Sequence, residues 1–271
     1  LAISGQTSPG PYTPATEEYD GASWTSSGGV GTARYTMAAG GTQTAAIISM
    51  GYSGGAAITT TELYNGSSWT SGTSSNNARY NLGSGGTQTS AVMFGGSPPS
   101  GGGGTVTEEW DGSSWTSGGS LGTARYQLSG NNVGTQTASL CVGGYVPGVG
   151  ATDATEEYNG SSWSAGGALP TGEGVAARYG LQTAATIAGG GPGPAPNTTA
   201  RQYDGSSWTT IPSIATGRLF LSGCGSNSAG LIFGGTPAVT TTEEFNRSVN
   251  VITAAAFSSG GTMNTARRYV S

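Results

Sequence analysis

Short apolar runs that stop at glycine set the rhythm of this chain. They fall at Ile47 to Gly51, Val92 to Gly96, Leu140 to Gly144, Ile187 to Gly190 and Leu231 to Gly235. Each is followed by an aromatic residue before an Asp or Asn: Tyr64, Trp110, Tyr158, Tyr203 and Phe245, with Tyr19 as the first of the set. A tryptophan stands after the turn at Trp24, Trp69, Trp115, Trp163 and Trp208; the last copy has Asn250 in its place. No stretch keeps a helical period, and Gly and β-formers are frequent, so the pattern predicts strands.

The aromatic markers recur roughly 45 residues apart, a period that points to propellers or solenoids. Arginine marks the same repeat at Arg34, Arg79, Arg125, Arg178, Arg218 and Arg267, mostly within Ala-Arg-Tyr. Each unit reads as four short strands. The first is the Ala-Arg-Tyr segment (Ala124 to Ser129, for example) and the second the apolar run. The third carries Thr-Glu-Glu-Tyr and the fourth Ser-Ser-Trp. Asp-Gly or Asn-Gly between the last two predicts a tight hairpin, whose central residues must tolerate positive φ.

Composition sharpens this. Of 271 residues 51 are glycine and only 8% are charged. Such a mix also suits disorder, but the regular aromatic spacing argues for a folded array. The net charge of −5 lacks the basic stripe that nucleic acid requires. No apolar run is long enough to insert into a membrane as a helix. The chain has no histidine, which removes Ser-His-Asp triads, Cys-His pairs and histidine-containing zinc sites. No cofactor or metal is expected. Cys141 and Cys224 sit at different points of the repeat, so no disulfide is implied.

An arginine near the first strand, an apolar run ending in Gly-Gly, a later aromatic and then a tryptophan resemble the kelch repeat. The likeness covers nearly the whole chain and implies four-stranded blades of a β-propeller. The wording Tyr-Asn-Gly-Ser-Ser-Trp-Thr-Ser-Gly, with Thr-Ala-Arg-Tyr and Gly-Thr-Gln-Thr-Ala, is similar to kelch-like repeats attributed to virion proteins of marine tailed phages. Blades are expected at about 34–72, 79–118, 125–167, 178–211 and 218–252. The end segment 265–271 reads as a first strand and the start of 1–27 as a second, so together they make a sixth, composite blade. The expected fold is an all-β six-bladed propeller, closed by both termini.

The once-per-unit residues invite chemistry and favour structure. Adjacent glutamates such as Glu108 and Glu109 point to opposite faces of a strand, whereas glycoside hydrolysis needs two facing carboxylates. One glutamate per unit is therefore expected to pair with the repeat arginine, and the tryptophans to pack between blades. A glycosidase would need a carboxylate outside the repeat, such as Asp153 or Glu173. The insertion Thr171-Gly172-Glu173-Gly174 is expected to lengthen the loop before Arg178, and Arg201-Gln202 replaces one Glu pair. Trp110 stands where other units have Tyr or Phe.

The loops after the second strand vary freely between units: 8–15, 53–60, 97–106, 145–154, 191–199 and 236–241. Variable loops on a rigid scaffold are where binding usually resides. Tyr12, Tyr52, Pro98, Pro99, Tyr145, Pro147, Asp153 and Pro194 are the candidate ligand or partner residues. The expected function is a non-enzymatic structural or attachment protein of a virus particle, such as a tail fibre or capsid decoration, located in the virion or outside a cell. Its partners would be other virion or extracellular proteins, in a symmetric assembly, or cell-surface glycans. A secreted, lectin-like carbohydrate-binding propeller is the alternative.

Overall fold

The computed structural model describes residues 1–7, 10–128, 131–237, 239–247, 256–263 and 268. Ser8, Ser129, Asn250 and Arg267 lie outside these, as does the expected strand 265–271 apart from Arg268. Among the described residues every regular element is a β-strand.

The strands form six consecutive antiparallel units. Unit one holds β1 (Ala2–Ile3), β2 (Thr16–Tyr19) and β3 (Trp24–Ser27). Unit two holds β4 (Ala38–Thr42) and β5 (Ala45–Ser49), a small hairpin of β6 (Tyr52–Ser53) and β7 (Ala56–Ala57), then β8 (Thr61–Tyr64) and β9 (Trp69–Gly72). Unit three runs β10 (Gly83–Thr87), β11 (Ser90–Phe94), β12 (Thr107–Trp110) and β13 (Trp115–Ser117). Unit four holds β14 (Asn131–Thr135) and β15 (Ala138–Val142), a second small hairpin of β16 (Tyr145–Val146) and β17 (Gly150–Ala151), then β18 (Thr155–Tyr158) and β19 (Trp163–Ala165). Unit five runs β20 (Ala177–Leu181), β21 (Ala184–Ala188), β22 (Ala200–Tyr203) and β23 (Trp208–Ile211). Unit six runs β24 (Ser222–Gly225), β25 (Ala229–Phe233), β26 (Thr242–Asn246) and β27 (Ala256–Ser259).

Two local expectations change. The first strand is not the Ala-Arg-Tyr segment in units two, three and four. Arg34, Arg79 and Arg125 precede it, and the tyrosine that follows each makes an isolated bridge: Tyr35 with Tyr52, Tyr80 with Ser97, Tyr126 with Tyr145. Strand structure resumes only after a residue of positive φ, such as Thr36 at 52° and Asn81 at 58°. The Asp-Gly turn is also wider than expected. Tyr19 pairs with Trp24, leaving the four residues Asp20 to Ser23 as the loop. Only the glycine there has positive φ, 99° at Gly21. The Asp side chain supplies the remaining constraint: Asp111 Oδ1 accepts the amides of Ser113 and Ser114, each at 2.8 Å.

Each apolar face is buried on a neighbouring unit. Val92 and Phe94 of unit three pack with Leu128, Cys141 and Tyr158 of unit four. Val133 and Leu140 pack with Ala185, Ile187 and Trp208 of unit five. The same arrangement joins units two and three, five and six, and one and two. Ala2 and Trp24 of unit one pack with Phe233 and Met263, which belong to unit six and the segment after it. The first strands β10, β14 and β20 also pair in parallel, linking units three to five into one sheet. Close approach demands glycine after the fourth strand in units one, three, four and six. A Cβ on Gly167 would stand 1.9 Å from Ser206 O in the next unit's turn.

Candidate functional site

The repeat glutamates have two separate duties, set by the alternation of the strand. In units two, three, four and six the first glutamate turns inward to arginine. Arg79 Nη2 meets Glu108 Oε2 at 2.8 Å, Arg125 meets Glu156 at 2.5 Å and Arg218 meets Glu243 at 2.6 Å; Arg34 and Glu62 form the same pair. The other guanidinium nitrogen donates to two carbonyls, as Arg79 Nη1 does to Gly95 O and Val106 O. The carboxylate also takes a loop amide, such as Asn76 N on Glu108 Oε1 at 2.8 Å. Burial pulls the Arg34, Arg79 and Arg218 guanidinium groups below their ordinary value, and the facing glutamates oppose that shift. A pair so enclosed fixes geometry more than it adds stability.

Unit five carries this pair reversed. Glu173 occupies the position that arginine holds elsewhere: its carbonyl accepts Gly144 N, as that of Arg125 accepts Gly96 N. Arg201 occupies the glutamate position on β22, and its Nη1 donates to Glu173 Oε1 at 2.9 Å. Asn197 Nδ2 supplies further hydrogen bonds to the same carboxylate. Arg178 therefore does not belong to the repeat arginines. The expected loop insertion at 171–174 is in register with the arginine segment, and Arg178 lies in the first strand, β20. It is buried, donates to Ala176 O at 3.0 Å, and has its pKa drawn down to about 10 by burial. Glu173 and Arg201 were each visible as departures from the repeat. Only the fold shows that they compensate each other.

The second glutamate turns to the following unit. The Tyr158 hydroxyl donates to Glu109 at 2.6 Å, Tyr203 to Glu157 at 2.7 Å and Tyr19 to Glu244 at 2.5 Å; Tyr64 does the same to Glu18. Where the aromatic lacks a hydroxyl, the acceptor has changed too. Trp110 faces the unit that carries Leu63, and the two lie in one apolar cluster. Phe245 follows the unit that carries Gln202, whose amide turns instead to Asn227 O. The identity of Trp110 is thus half of a matched exchange.

Tryptophans complete the links. Trp69 Nε1 donates to Thr16 Oγ1 at 3.0 Å, Trp115 to Thr61 at 3.1 Å, Trp163 to Thr107 at 3.0 Å and Trp208 to Thr155 at 3.1 Å. Trp24 donates to Thr242 Oγ1 at 3.0 Å, from unit one to unit six. The Thr-Gln-Thr glutamine reaches back as well: Gln136 Nε2 donates to Ala91 O and Trp110 O of the preceding unit. Arg267 lies outside the described residues, but its neighbour Arg268 exchanges two backbone hydrogen bonds of 3.0 Å with Gln6. That is the bridge Tyr35 makes with Tyr52.

These bridges occupy equivalent positions in all six units, so the variable loops emerge at the same end of each. The candidate residues Tyr12, Tyr52 and Tyr145 fall into aromatic contacts there. Tyr12 and Tyr35 have ring centroids 4.9 Å apart, Tyr35 and Tyr52 5.5 Å, and Tyr52 and Tyr80 5.1 Å. A second pair, Tyr126 and Tyr145, stands 6.1 Å apart. Pro98 and Pro99 follow Ser97, the bridge partner of Tyr80, and lie between the two groups in chain order. Pro147 sits at the tip of the β16–β17 hairpin and contacts the space above Gly102. Asp153 and Pro194 are exposed on neighbouring loops. Tyr35, Tyr80 and Tyr126 were hidden in the sequence within the repeat motif. The available signal was their replacement by Leu219 in unit six; the matching Gly174 is revealed only by the fold.

A cavity of about 310 Å³ lies between β1, β4 and β24, lined by Leu1, Ile3, Met37, Leu82, Cys224 and Phe233 among others. It is mainly apolar. No family model matches the chain, and no curated protein matches it.

Proposed function

We propose that the chain is a non-enzymatic attachment or structural protein of a virus particle, built as a kelch-like propeller of six blades. Its units are the blades, and the whole forms a single domain. The closed ring is supported by the apolar and hydrogen-bonded contacts of unit one with unit six, through Trp24 and Thr242 and through Tyr19 and Glu244. Closure leaves no open end in a repeat array, whose units cannot bury their faces alone.

The observation that carries the functional reading is the contrast between two classes of residue. Repeated glutamates, arginines and tryptophans are committed to contacts within and between units. The non-repeating residues gather at one end, on loops held by rigid bridges. That is the arrangement of a scaffold that presents a recognition face. The virion setting rests on the wording of the repeat. Mass spectrometry of purified particles tests it: the protein should copurify at a stoichiometry matching particle symmetry. Recovery as a free monomer alone would remove the virion reading, and a map with units one and six apart would remove the ring.

A further inference from the structure

The tyrosines at the loop end break the symmetry of an otherwise regular repeat. Matching positions beside the bridges hold Tyr35, Tyr80 and Tyr126 in units two to four, but Gly174, Leu219 and Arg268 in the units that follow. The second member of the bridge is Tyr52, Ser97 or Tyr145 in this half, and Gly191, Thr236 or Gln6 in the other. A residue needed to build each unit would recur throughout, as the tryptophan and the first glutamate each do in five of the six units. An aromatic patch confined to one half is asymmetric, as a binding site must be to orient a ligand.

We propose that this tyrosine arc binds an uncharged glycan chain. The rings of Tyr12, Tyr35, Tyr52 and Tyr80 are half-buried and brace one another in tilted and edge-on contacts, which fixes their orientations. Tyrosine offers an apolar face and a hydroxyl tip, matching the C–H face and hydroxyl rim of a pyranose. Charge decides the class. The six variable loops carry one charged side chain between them, Asp153. Arg268 is engaged by Gln6, with Nε to Oε1 at 3.2 Å, and Glu173 is buried with Arg201. A sulfated or sialylated ligand would therefore meet no cluster of cations among the described residues. A protein interface surrounds its aromatic anchors with a wider apolar core. The large apolar side chains exposed among the described residues are Val149 and Leu181, and only Val149 is in these loops.

This inference rests on the reading of the chain as a non-catalytic scaffold, and not on its virion setting. The full chain is applied to an array of neutral, sulfated and sialylated glycans, together with Tyr52→Ala, Tyr80→Ala, the double variant and Thr210→Ala on the outer strand β23. Selective retention of neutral glycans is expected. Each tyrosine truncation should weaken it on the order of tenfold, and Thr210→Ala should leave it unchanged. Should a truncated variant unfold, protection of Tyr52 and Tyr80 from iodination by the bound glycan reads the same contact in the unmodified protein. Silence across the array, preference for anionic glycans, or binding that survives the double variant without such protection overturns the proposal. So does capture of a protein partner at the arc with no glycan bound. Particle association with a silent array would sink this inference alone.

Discussion

The Tyr158 hydroxyl lies 2.6 Å from Glu109 across the boundary of units four and three, and this contact explains two irregular residues elsewhere. Trp110 and Phe245 cannot donate such a bond, and the positions that would accept it hold Leu63 and Gln202. Donor and acceptor change together because a carboxylate at a packed boundary without its donor keeps the cost of lost hydration.

Replacing Tyr158 by Phe is therefore expected to cost about 1–3 kcal/mol in denaturant unfolding. Adding Glu109→Leu should recover part of that, in a cycle with clear coupling. Purely additive effects would contradict the pairing. Burial, and then Glu109, push the Tyr158 phenol up to about 12. The folded protein thus holds a proton that the unfolded chain releases near pH 10. Stability from this group is full below about pH 10 and is lost as pH rises towards 12. Measured unfolding free energies should fall over that window, and less steeply in Tyr158→Phe.

The reversed pair in unit five gives a sharper test. Glu173→Arg alone places two cations together in a buried site, and Arg201→Glu alone places two carboxylates there. Each should cost at least about 3–5 kcal/mol, the loss expected when a buried pair is broken. Making both substitutions restores the order found in units two to four, with Gly189 O and Thr199 O available to the new arginine. Equilibrium unfolding should show the double variant more stable than either single one. A double variant as unstable as the worse single one would refute the equivalence of the positions.

The Asp turns should register in acid. Amides of Ser207 and Ser206, with the serine hydroxyls, hold the Asp204 carboxylate down to about 2. Its contribution to stability is present above about pH 4 and is lost as pH falls towards 2. Asn65 and Asn159 make the same turns without a charge. Asp204→Asn is thus expected to keep the melting temperature at pH 7 close to the parent, and to reduce the loss between pH 4 and pH 2. An unchanged acid profile would exclude the Asp204 contribution.

Cysteine labelling separates core from cavity. Burial pushes the Cys141 thiol up to about 11, and it also raises Cys224, which lines the cavity. The thiolate is the reactive form, so both should label slowly at pH 8. Cys224 is expected to react first with iodoacetamide, and Cys141 only at the rate of unfolding. Prompt modification of Cys141 in the folded protein would contradict its packing beside Val92 and Tyr158.

Local and periodic information was legible in the chain itself. The recurrence of Glu, Trp and Gly-Gly gave the second, third and fourth strands and the pairing of one glutamate with arginine, because each depends on partners within one repeat. Register was not legible around residue 175. Ala-Ala-Arg-Tyr at 176–179 copies the motif, yet Val175 takes the positive φ of 49° that belongs two residues after the arginine position. Tyr179 is consequently buried against Gly223 and Gly230 instead of joining the tyrosine arc.

Relations between units had to come from the tertiary structure. Nothing local links Trp110 to Leu63 or Tyr12 to Tyr80. Those choices are made where one sheet lies on the next, since partners distant in sequence must satisfy one another's charge, hydroxyl and volume. The amino-acid order determined what each unit is; the packing of unit on unit decided which departures from the repeat are compensations and which gather at one face.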